Sequence, residues 1–144
     1  MNAAGFAMRY TDQVMSHFRA PRNAGRLAPG PGVGCGEAGR AAAGTLVRFW
    51  LRMDTTGRIA EARWQALGDP WTIAAASVVS ERLAGADEAA IERLAGARLG
   101  RELGFPVENL GNALIVEDAV RAAWAACRPA AAPSSVLESG NQRR

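Results

Sequence analysis

Two β-rich runs joined by a short turn constrain the fold of this chain more than any other feature. Residues 44–53 interleave apolar side chains with Arg48 and Arg52, and residues 58–67 form a second run of the same kind. The residues between them, 54–57, read Asp-Thr-Thr-Gly, a composition typical of tight turns. Two such runs separated by a short turn that contains glycine predict an antiparallel β-hairpin.

The remaining periodic segments are helical, and most of them follow the hairpin. Asp69 is suited to cap a long helix that ends near Leu83, and Pro70 suits its first position because the missing N–H would have no partner there. Other helices are predicted from Thr11, after Asp87, over 99–103 and over 113–127. Strands grouped ahead of helices favour an α+β fold, a small antiparallel sheet with helices packed on one face.

The length of 144 residues corresponds to one domain, which we place at residues 1–128. Residues 24–41 are dense in glycine and proline and are interpreted as an irregular loop, with room for one short third strand. Residues 129–144 are small and polar, and we expect a disordered C-terminal tail there.

Composition excludes several classes of function. No apolar run approaches the ~20 residues that span a bilayer, and residues 1–9 are too short and polar for a secretory signal. We therefore expect a cytoplasmic protein without a membrane partner. All 17 basic residues are arginine, so lysine Schiff-base chemistry is excluded. The formal charge of +3 is scattered, which predicts no nucleic-acid partner.

Cysteine and histidine are too few for the usual metal centres. Cys35 and Cys127 belong to no C-x-x-C pattern, and His17 is the single histidine. A tetrahedral zinc site or a four-thiolate cluster site cannot be built from these residues on one chain in the usual way.

The opening of the chain carries a specific motif. Residues 10–25 match the pattern Y-x-x-x-V-x-x-H-[YF]-x-x-P-R-N-x-G, residues 57–64 resemble a second strand that leads to G-C-G, and residues 117–123 resemble a last helix, L-A-E-D-A-I-K-A-A. On these residues the chain resembles the IscU/NifU-type N-terminal domain of iron–sulfur cluster scaffolds, over roughly residues 10–127. The resemblance implies an α+β fold and a role in iron–sulfur cluster assembly.

That family holds its cluster with three cysteines, helped by an aspartate and a histidine, and the resemblance implies that these positions have changed here. Ala43 stands at the first cysteine and Thr45 at the aspartate, Asp69 stands at the second cysteine, and Gly111-Asn112 replace the histidine–cysteine pair. We therefore predict no catalytic, cofactor-binding or metal-binding residues.

Cys35 and Asp69 remain as weak metal-ligand candidates. Asp69 could coordinate a hard cation, although capping of the helix after it is the stronger interpretation. Asn112 has the same explanation, as the cap of the last helix. Cys35, eight residues before Ala43, could swing toward the old site, but a free and reactive thiol is the favoured interpretation. Cys127 is interpreted as a buried, apolar residue.

Other residues of interest have structural explanations as well. His17 is predicted to be a structural group on a helix face, and the tryptophans are predicted to pack in the core or at its edge. Trp71 follows Pro70 where the family has a small residue, and we hypothesise that its ring fills or covers the former pocket. Residues 105–109 correspond to the family's chaperone-recognition segment, in which Asn109 replaces lysine. Chaperone docking is therefore expected to be weakened.

Three functions follow from these patterns. The favoured one is a non-enzymatic, scaffold-like binding or regulatory protein without bound cofactor, whose partners would be a cysteine desulfurase or other iron–sulfur assembly proteins, or a second copy of itself. The alternative is a working scaffold or carrier that holds an iron–sulfur cluster or zinc through non-standard or intermolecular ligands.

An unrelated enzyme is the third and least favoured function. Ser77 and Ser80 lie within a helix, far in sequence from His17, so no nucleophile–base pair is predicted. Glu117 and Asp118 are adjacent on a helix and face different directions.

Overall fold

The computed structural model describes residues 10–127 and has the α+β architecture that the sequence predicts. The N-terminal nine residues and the tail predicted at 129–144 lie outside the described residues. A three-stranded antiparallel sheet has the order β1-β2-β3. The elements are α1 (Asp12–Arg19), β1 (Val33–Arg40), a 3-10 helix (Ala41–Ala43), β2 (Thr45–Met53), β3 (Ile59–Leu67), α2 (Pro70–Arg82), α3 (Glu88–Glu92), α4 (Gly96–Glu102), a second 3-10 helix (Val107–Asn109) and α5 (Leu110–Cys127).

The predicted hairpin is confirmed as β2 and β3. Phe49 pairs with Trp64 and Leu51 pairs with Ala62, and all four side chains are buried on the face that the helices cover. Asp54 closes the turn, since its carboxylate accepts hydrogen bonds from the backbone N–H groups of Thr56 and Arg58. The hydroxyl of Thr56 donates to the same carboxylate, and this bond, with the backbone bonds, lowers the pKa of Asp54.

The possible third strand within residues 24–41 is confirmed as β1, which takes up eight residues, 33–40, so the irregular loop is limited mainly to the residues before it. Gly34 and Gly36 of this strand allow α5 to pack closely against it, and they do not form a turn. A Cβ added at Gly36 would lie 2.6 Å from the carbonyl oxygen of Ala119 and would collide with the backbone nitrogen of Ala123. Because only glycine permits this approach, α5 lies directly against β1.

The helices place their apolar faces on one side of the sheet, and α5 crosses β1 and β2 there. Side-chain caps start three helices, from Thr11 for α1, Asp69 for α2 and Asp87 for α3. The buried core unites strand and helix residues, among them Val47, Phe49, Leu51, Trp64, Trp71, Val79, Leu103, Val116, Val120 and Trp124. Over residues 10–127, none of the helices has the length and apolar character to cross a membrane.

Candidate functional site

The start of α2 is organised by Asp69, as the sequence predicts. Its Oδ1 accepts a hydrogen bond from the backbone nitrogen of Thr72 at 3.0 Å and from the Thr72 hydroxyl at 3.2 Å. Pro70 occupies the first helical turn. The carboxylate of Asp69 therefore satisfies an N–H group that the helix itself leaves unpaired.

Asn112 is not the cap of the last helix, so that prediction is wrong. The 3-10 helix Val107–Asn109 runs directly into α5, which begins at Leu110, and Asn112 consequently lies inside the first turn. Its Nδ2 donates to the hydroxyl of Thr72 at 2.8 Å and reaches Oδ1 of Asp69 at 3.5 Å. Asn112 thus joins the starts of α2 and α5.

The other positions at which the resemblance implies cluster ligands lie near this junction. Ala43 is exposed in the 3-10 helix that precedes β2. Leu46 pairs with Leu67, so the chain just before β2 lies beside the end of β3 that leads to Asp69. Gly111 is exposed in the first turn of α5, with open space where a side chain would stand. The fold therefore gathers the four positions at one end of the sheet.

The chemistry available at this end of the sheet is that of one carboxylate and one amide. Iron–sulfide clusters and structural zinc require several thiolate or imidazole ligands, whereas these two groups supply hard oxygen atoms. Among residues 10–127, no group of three or more His, Cys, Asp and Glu side chains could hold a metal ion. The side chains of Ala43, Asp69 and Asn112 do not fit such a group.

Neither cysteine joins this site. Cys35 lies within β1, in register with Trp50, on the sheet face opposite the helices. Five residues of strand, roughly 17 Å, separate it from Arg40 at the end of β1, so the suggested swing toward the old site is excluded by the strand. Partial burial raises the pKa of the Cys35 thiol, which argues against special reactivity. Cys127 is buried, as predicted, and its thiol donates to the carbonyl of Trp124.

His17 and Ser77 lie 60 positions apart in the sequence, but their side chains are in contact. Nδ1 of His17 lies 2.7 Å from Oγ of Ser77, and Nε2 lies 3.8 Å from the carboxylate of Glu81. The separation of His17 and Ser77 along the chain is therefore no guide to their distance in space. Ser77 is 0% exposed, however, so its hydroxyl is closed to any substrate. Burial is the main cause of a lowered His17 pKa, and the positive charge of Arg22 adds to it.

The same serines explain the opening motif of the chain. The backbone N–H of Arg22 donates to Oγ of Ser77 at 2.9 Å, and the amide of Asn23 donates to Oγ of Ser80 at 3.1 Å. The indole of Trp64 donates to the carbonyl of Arg22 at 2.7 Å. Through these hydrogen bonds, residues of the P-R-N motif attach the chain after α1 to α2 and β3. Sequence reasoning missed this role, because nothing along the chain marks Ser77 and Ser80 as partners.

Trp71 is buried, as the hypothesis that its ring fills or covers the former pocket requires. Its ring centroid lies 4.6 Å from that of Tyr10 and 4.8 Å from that of Phe105, in tilted arrangements typical of aromatic packing. The ring therefore packs between Tyr10, just before α1, and Phe105, in the segment before α5. Whether it also occupies the space of a former pocket stays a hypothesis.

Exposed apolar side chains surround the same end of the fold. In the part of the chain that the structure describes, the large hydrophobic residues that are exposed are Leu67 (52%), Val107 (82%) and Leu114 (44%). Leu67 precedes Asp69 by two residues, and Leu114 follows Asn112 by two. Exposed apolar side chains gathered near one site are typical of protein interaction surfaces.

This fold and this arrangement agree with the comparisons to known proteins. The profile of the NifU-like N terminal domain matches residues 9–132, and the chain belongs to this family. The iron–sulfur cluster assembly scaffold protein IscU of Azotobacter vinelandii is 32% identical over 117 residues, which cover 81% of this chain and 91% of that protein. Iron-sulfur cluster assembly protein 2 of Arabidopsis thaliana is 31% identical over 115 residues, covering 79% and 71% of the two chains.

Solved structures share the fold. A crystal structure assigned as an iron–sulfur cluster assembly scaffold protein for the SUF system, from Fervidobacterium islandicum AW-1, superposes with a TM-score of 0.55 at 17% identity. The superposition covers 83% of this chain and 94% of that chain. At this identity the likeness concerns the fold, a small antiparallel sheet with helices on one face.

Proposed function

We propose that this protein is a scaffold-like member of an iron–sulfur cluster assembly system that has lost the cluster ligands and acts by binding partner proteins. In this proposal it is neither an enzyme nor the holder of the cluster. Its family membership supports the assembly role, since several relatives are named iron–sulfur cluster assembly scaffold proteins.

The observation that carries the proposal is the hydrogen-bonded group of Asp69, Thr72 and Asn112. The side chains at the second and third cysteine positions bind protein groups, at 3.0 Å for Asp69 to the nitrogen of Thr72 and 2.8 Å for Asn112 to its hydroxyl. The position of the first cysteine carries the methyl group of Ala43. In this proposal, metal-binding side chains have been replaced by ones that stabilise the starts of two helices.

The exposed apolar residues around this group supply the binding surface. We propose that Leu67, Val107 and Leu114 contact a cysteine desulfurase, the partner that the family resemblance suggests. Apolar side chains at the centre of an interface supply much of its free energy of binding. In the proposed chaperone segment, Phe105 is buried whereas Val107 is exposed, and Glu108 adds a negative charge, so we propose that chaperone docking is weakened through lost charge complementarity.

Calorimetric titration of the purified chain with the cysteine desulfurase of the same organism tests the proposal. We expect a saturable complex that weakens at least about tenfold in a Leu67→Asp/Leu114→Asp variant, since burying an unpaired charge in an interface is costly. The matched control is Ala60→Asp/Ala125→Asp, which adds the same charge at exposed positions of β3 and α5. Absence of a complex with the unmodified chain would contradict the proposal.

A second candidate is a working scaffold or carrier with non-standard or intermolecular ligands, and the names of the relatives favour it. Asp69 would then contribute an oxygen ligand, and a second copy of the chain would complete the site. Anaerobic reconstitution with iron and sulfide separates the two functions. A stoichiometric brown chromophore that disappears in Asp69→Ala would support the second candidate, whereas a colourless protein supports the first.

A further inference from the structure

The sheet has a second face that no helix of residues 10–127 covers. Side chains alternate along each strand, so the residues between the core positions of β1, β2 and β3 point away from the helices. In register they form rows of three across the sheet. We define the outer sheet face as Val33, Arg52 and Glu61 in the first row, Cys35, Trp50 and Arg63 in the second, and Glu37, Arg48 and Gln65 in the third, together with Arg26.

Trp50 lies at the centre of the outer sheet face and is covered by two arginines. It is only 7% exposed, yet it is not part of the hydrophobic core between sheet and helices. The guanidinium carbon of Arg26 lies 5.7 Å from the centroid of the Trp50 ring, and that of Arg48 lies 5.9 Å away. Both distances are within the range of cation–π interactions.

The position of Arg26 is fixed by the backbone beside it. The N–H of Gly25 donates to the carbonyl of Trp64 at 2.8 Å, and Ala24 forms a parallel bridge with the same residue. Residues 24–25 therefore attach to the free edge of β3. The next residue, Arg26, is consequently held over the outer sheet face at the edge of the strand.

The charges of the outer sheet face are unequal. Glu37 is paired with Arg48, and Glu61 is paired with Arg52 at 3.0 Å and with Arg63 at 3.5 Å. Four arginines, counting Arg26, stand against these two glutamates, so the face carries a net charge of 4 − 2 = +2. Arg48, Arg52 and Arg63 each pair with one of these carboxylates, whereas Arg26 takes part in none of these ion pairs, so its guanidinium group can bind a carboxylate from outside.

We propose that the outer sheet face binds an acidic segment of a partner protein, with Trp50 and its two arginines at the centre of the contact. Tryptophan and arginine are the residues most enriched at the energetic centres of protein interfaces. The two glutamates argue against nucleic acid, because they repel a phosphate backbone that such proteins neutralise with many cations. A membrane surface fits less well, because Val33 and Trp50, the large apolar side chains of the face, are partly or almost wholly buried and charged side chains surround them.

This inference names a second partner surface and rests on the proposed partner-binding function. Leu67 lies two residues beyond Gln65 on the same face of β3, so the two surfaces adjoin at that end of the sheet. The two proposals stay distinguishable because their tests change different residues: Leu67→Asp/Leu114→Asp for the desulfurase complex, and Arg26→Gln, which keeps both leucines, for the acidic peptide.

The test uses the full chain and a fluorescein-labelled peptide of alternating glutamate and leucine. Fluorescence anisotropy should show saturable binding that weakens with added salt, and in NMR spectra the indole N–H signal of Trp50 should shift. We expect Arg26→Gln to weaken binding about fivefold and Arg26→Gln/Arg48→Gln to weaken it further, since each loses a charge-assisted contact. Arg98→Gln/Arg101→Gln removes the same charge from exposed positions of α4 and should leave the affinity unchanged.

Several outcomes would overturn the inference. They are equal binding of the peptide in which glutamine replaces glutamate, equal loss in the α4 control, and no shift of the Trp50 signal. Tighter binding of a single-stranded DNA oligonucleotide, or of vesicles that contain phosphatidylserine, would assign the face to those ligands instead. A dimer that dissociates in Arg26→Gln would assign it to a second copy of the chain. The thermal unfolding midpoint of Arg26→Gln, a single exposed residue, shows whether any loss reflects unfolding.

Discussion

Nδ2 of Asn112 lies 3.5 Å from Oδ1 of Asp69, although the two residues are 43 positions apart in the sequence. Thr72 lies between them and binds both side chains. Under the proposed function, these two positions would carry cysteines in relatives that bind a cluster. The contact now links the first turns of α2 and α5.

Replacing Asp69 by alanine should lower the free energy of unfolding by about 1 kcal/mol, the usual cost of losing an N-cap side chain. Urea denaturation followed by circular dichroism measures this loss. The control is Asp118→Ala, which removes the same charge from an exposed position within α5 and should change stability by less than about 0.5 kcal/mol. Equal stability of Asp69→Ala and the unmodified chain would show that the cap contributes nothing.

Restoring the sulfur ligands should restore cluster binding. In an Ala43→Cys/Asp69→Cys/Asn112→Cys variant, three thiols would stand at the end of the sheet where the fold gathers these positions. We expect anaerobic incubation with iron and sulfide to give a brown protein with visible absorbance, because converging thiolates are the preferred ligands of such clusters.

The single substitution Asp69→Cys and the unmodified chain serve as controls for this experiment, and both should stay colourless. Iron and acid-labile sulfide are measured alongside the spectrum. A colourless triple variant that remains folded by circular dichroism would mean that these three positions do not converge as the family resemblance requires.

Acidification should destabilise the fold through His17. Burial, with a contribution from the charges of Arg22 and Arg82, lowers its pKa below the ordinary value of 6.5, while Glu81 acts in the opposite direction. The unfolded chain therefore binds a proton at a pH where the folded chain does not, and stability falls as the pH drops through about 6.5. His17 is the only histidine, so its titration can be isolated.

Thermal unfolding between pH 7.5 and pH 5.5 checks this expectation. The decline of the midpoint should be smaller in His17→Gln, which cannot take up the proton. Ser77→Ala keeps the buried histidine and removes its 2.7 Å contact, so we expect lower stability with the decline preserved. A decline of the same size in His17→Gln would assign it to other groups.

The sequence was informative where local chemistry determines structure. The hairpin, the cap at Asp69 and the helix after it follow from turn composition, capping and periodicity, which act within a few residues. Strand β1 could be anticipated only as a possible short strand, because Gly34 and Gly36 carry no strand preference of their own. Their role depends on residues 119–127 of α5, which lie more than eighty residues away along the chain.

The same difference between local signals and contacts of distant residues applies to the candidate site. Asp69 could be interpreted from its neighbours, whereas Asn112 was placed as a cap because the sequence does not reveal that α5 begins at Leu110. The contact between His17 and Ser77 joins two helices across 60 positions and has no local signal. Tertiary contacts of this kind are accessible only once the packing of helices on the sheet is known.

The close approach of β1 and α5 leads to the most severe substitution that we expect. In Gly36→Ala, the added methyl group would lie 2.6 Å from the carbonyl oxygen of Ala119 and would collide with the backbone nitrogen of Ala123. Helix backbone cannot yield as a flexible side chain can, so the helix must move off the sheet and loosen the core around Phe49. We expect a loss of about 3 kcal/mol or more in the free energy of unfolding, at the upper end of overpacking effects.

Gly30→Ala is the matched control, because its added methyl group meets no atom within 4 Å and its backbone is not left-handed. Urea denaturation of both variants measures the difference, and a Gly36→Ala protein as stable as Gly30→Ala would mean that α5 does not lie directly against β1.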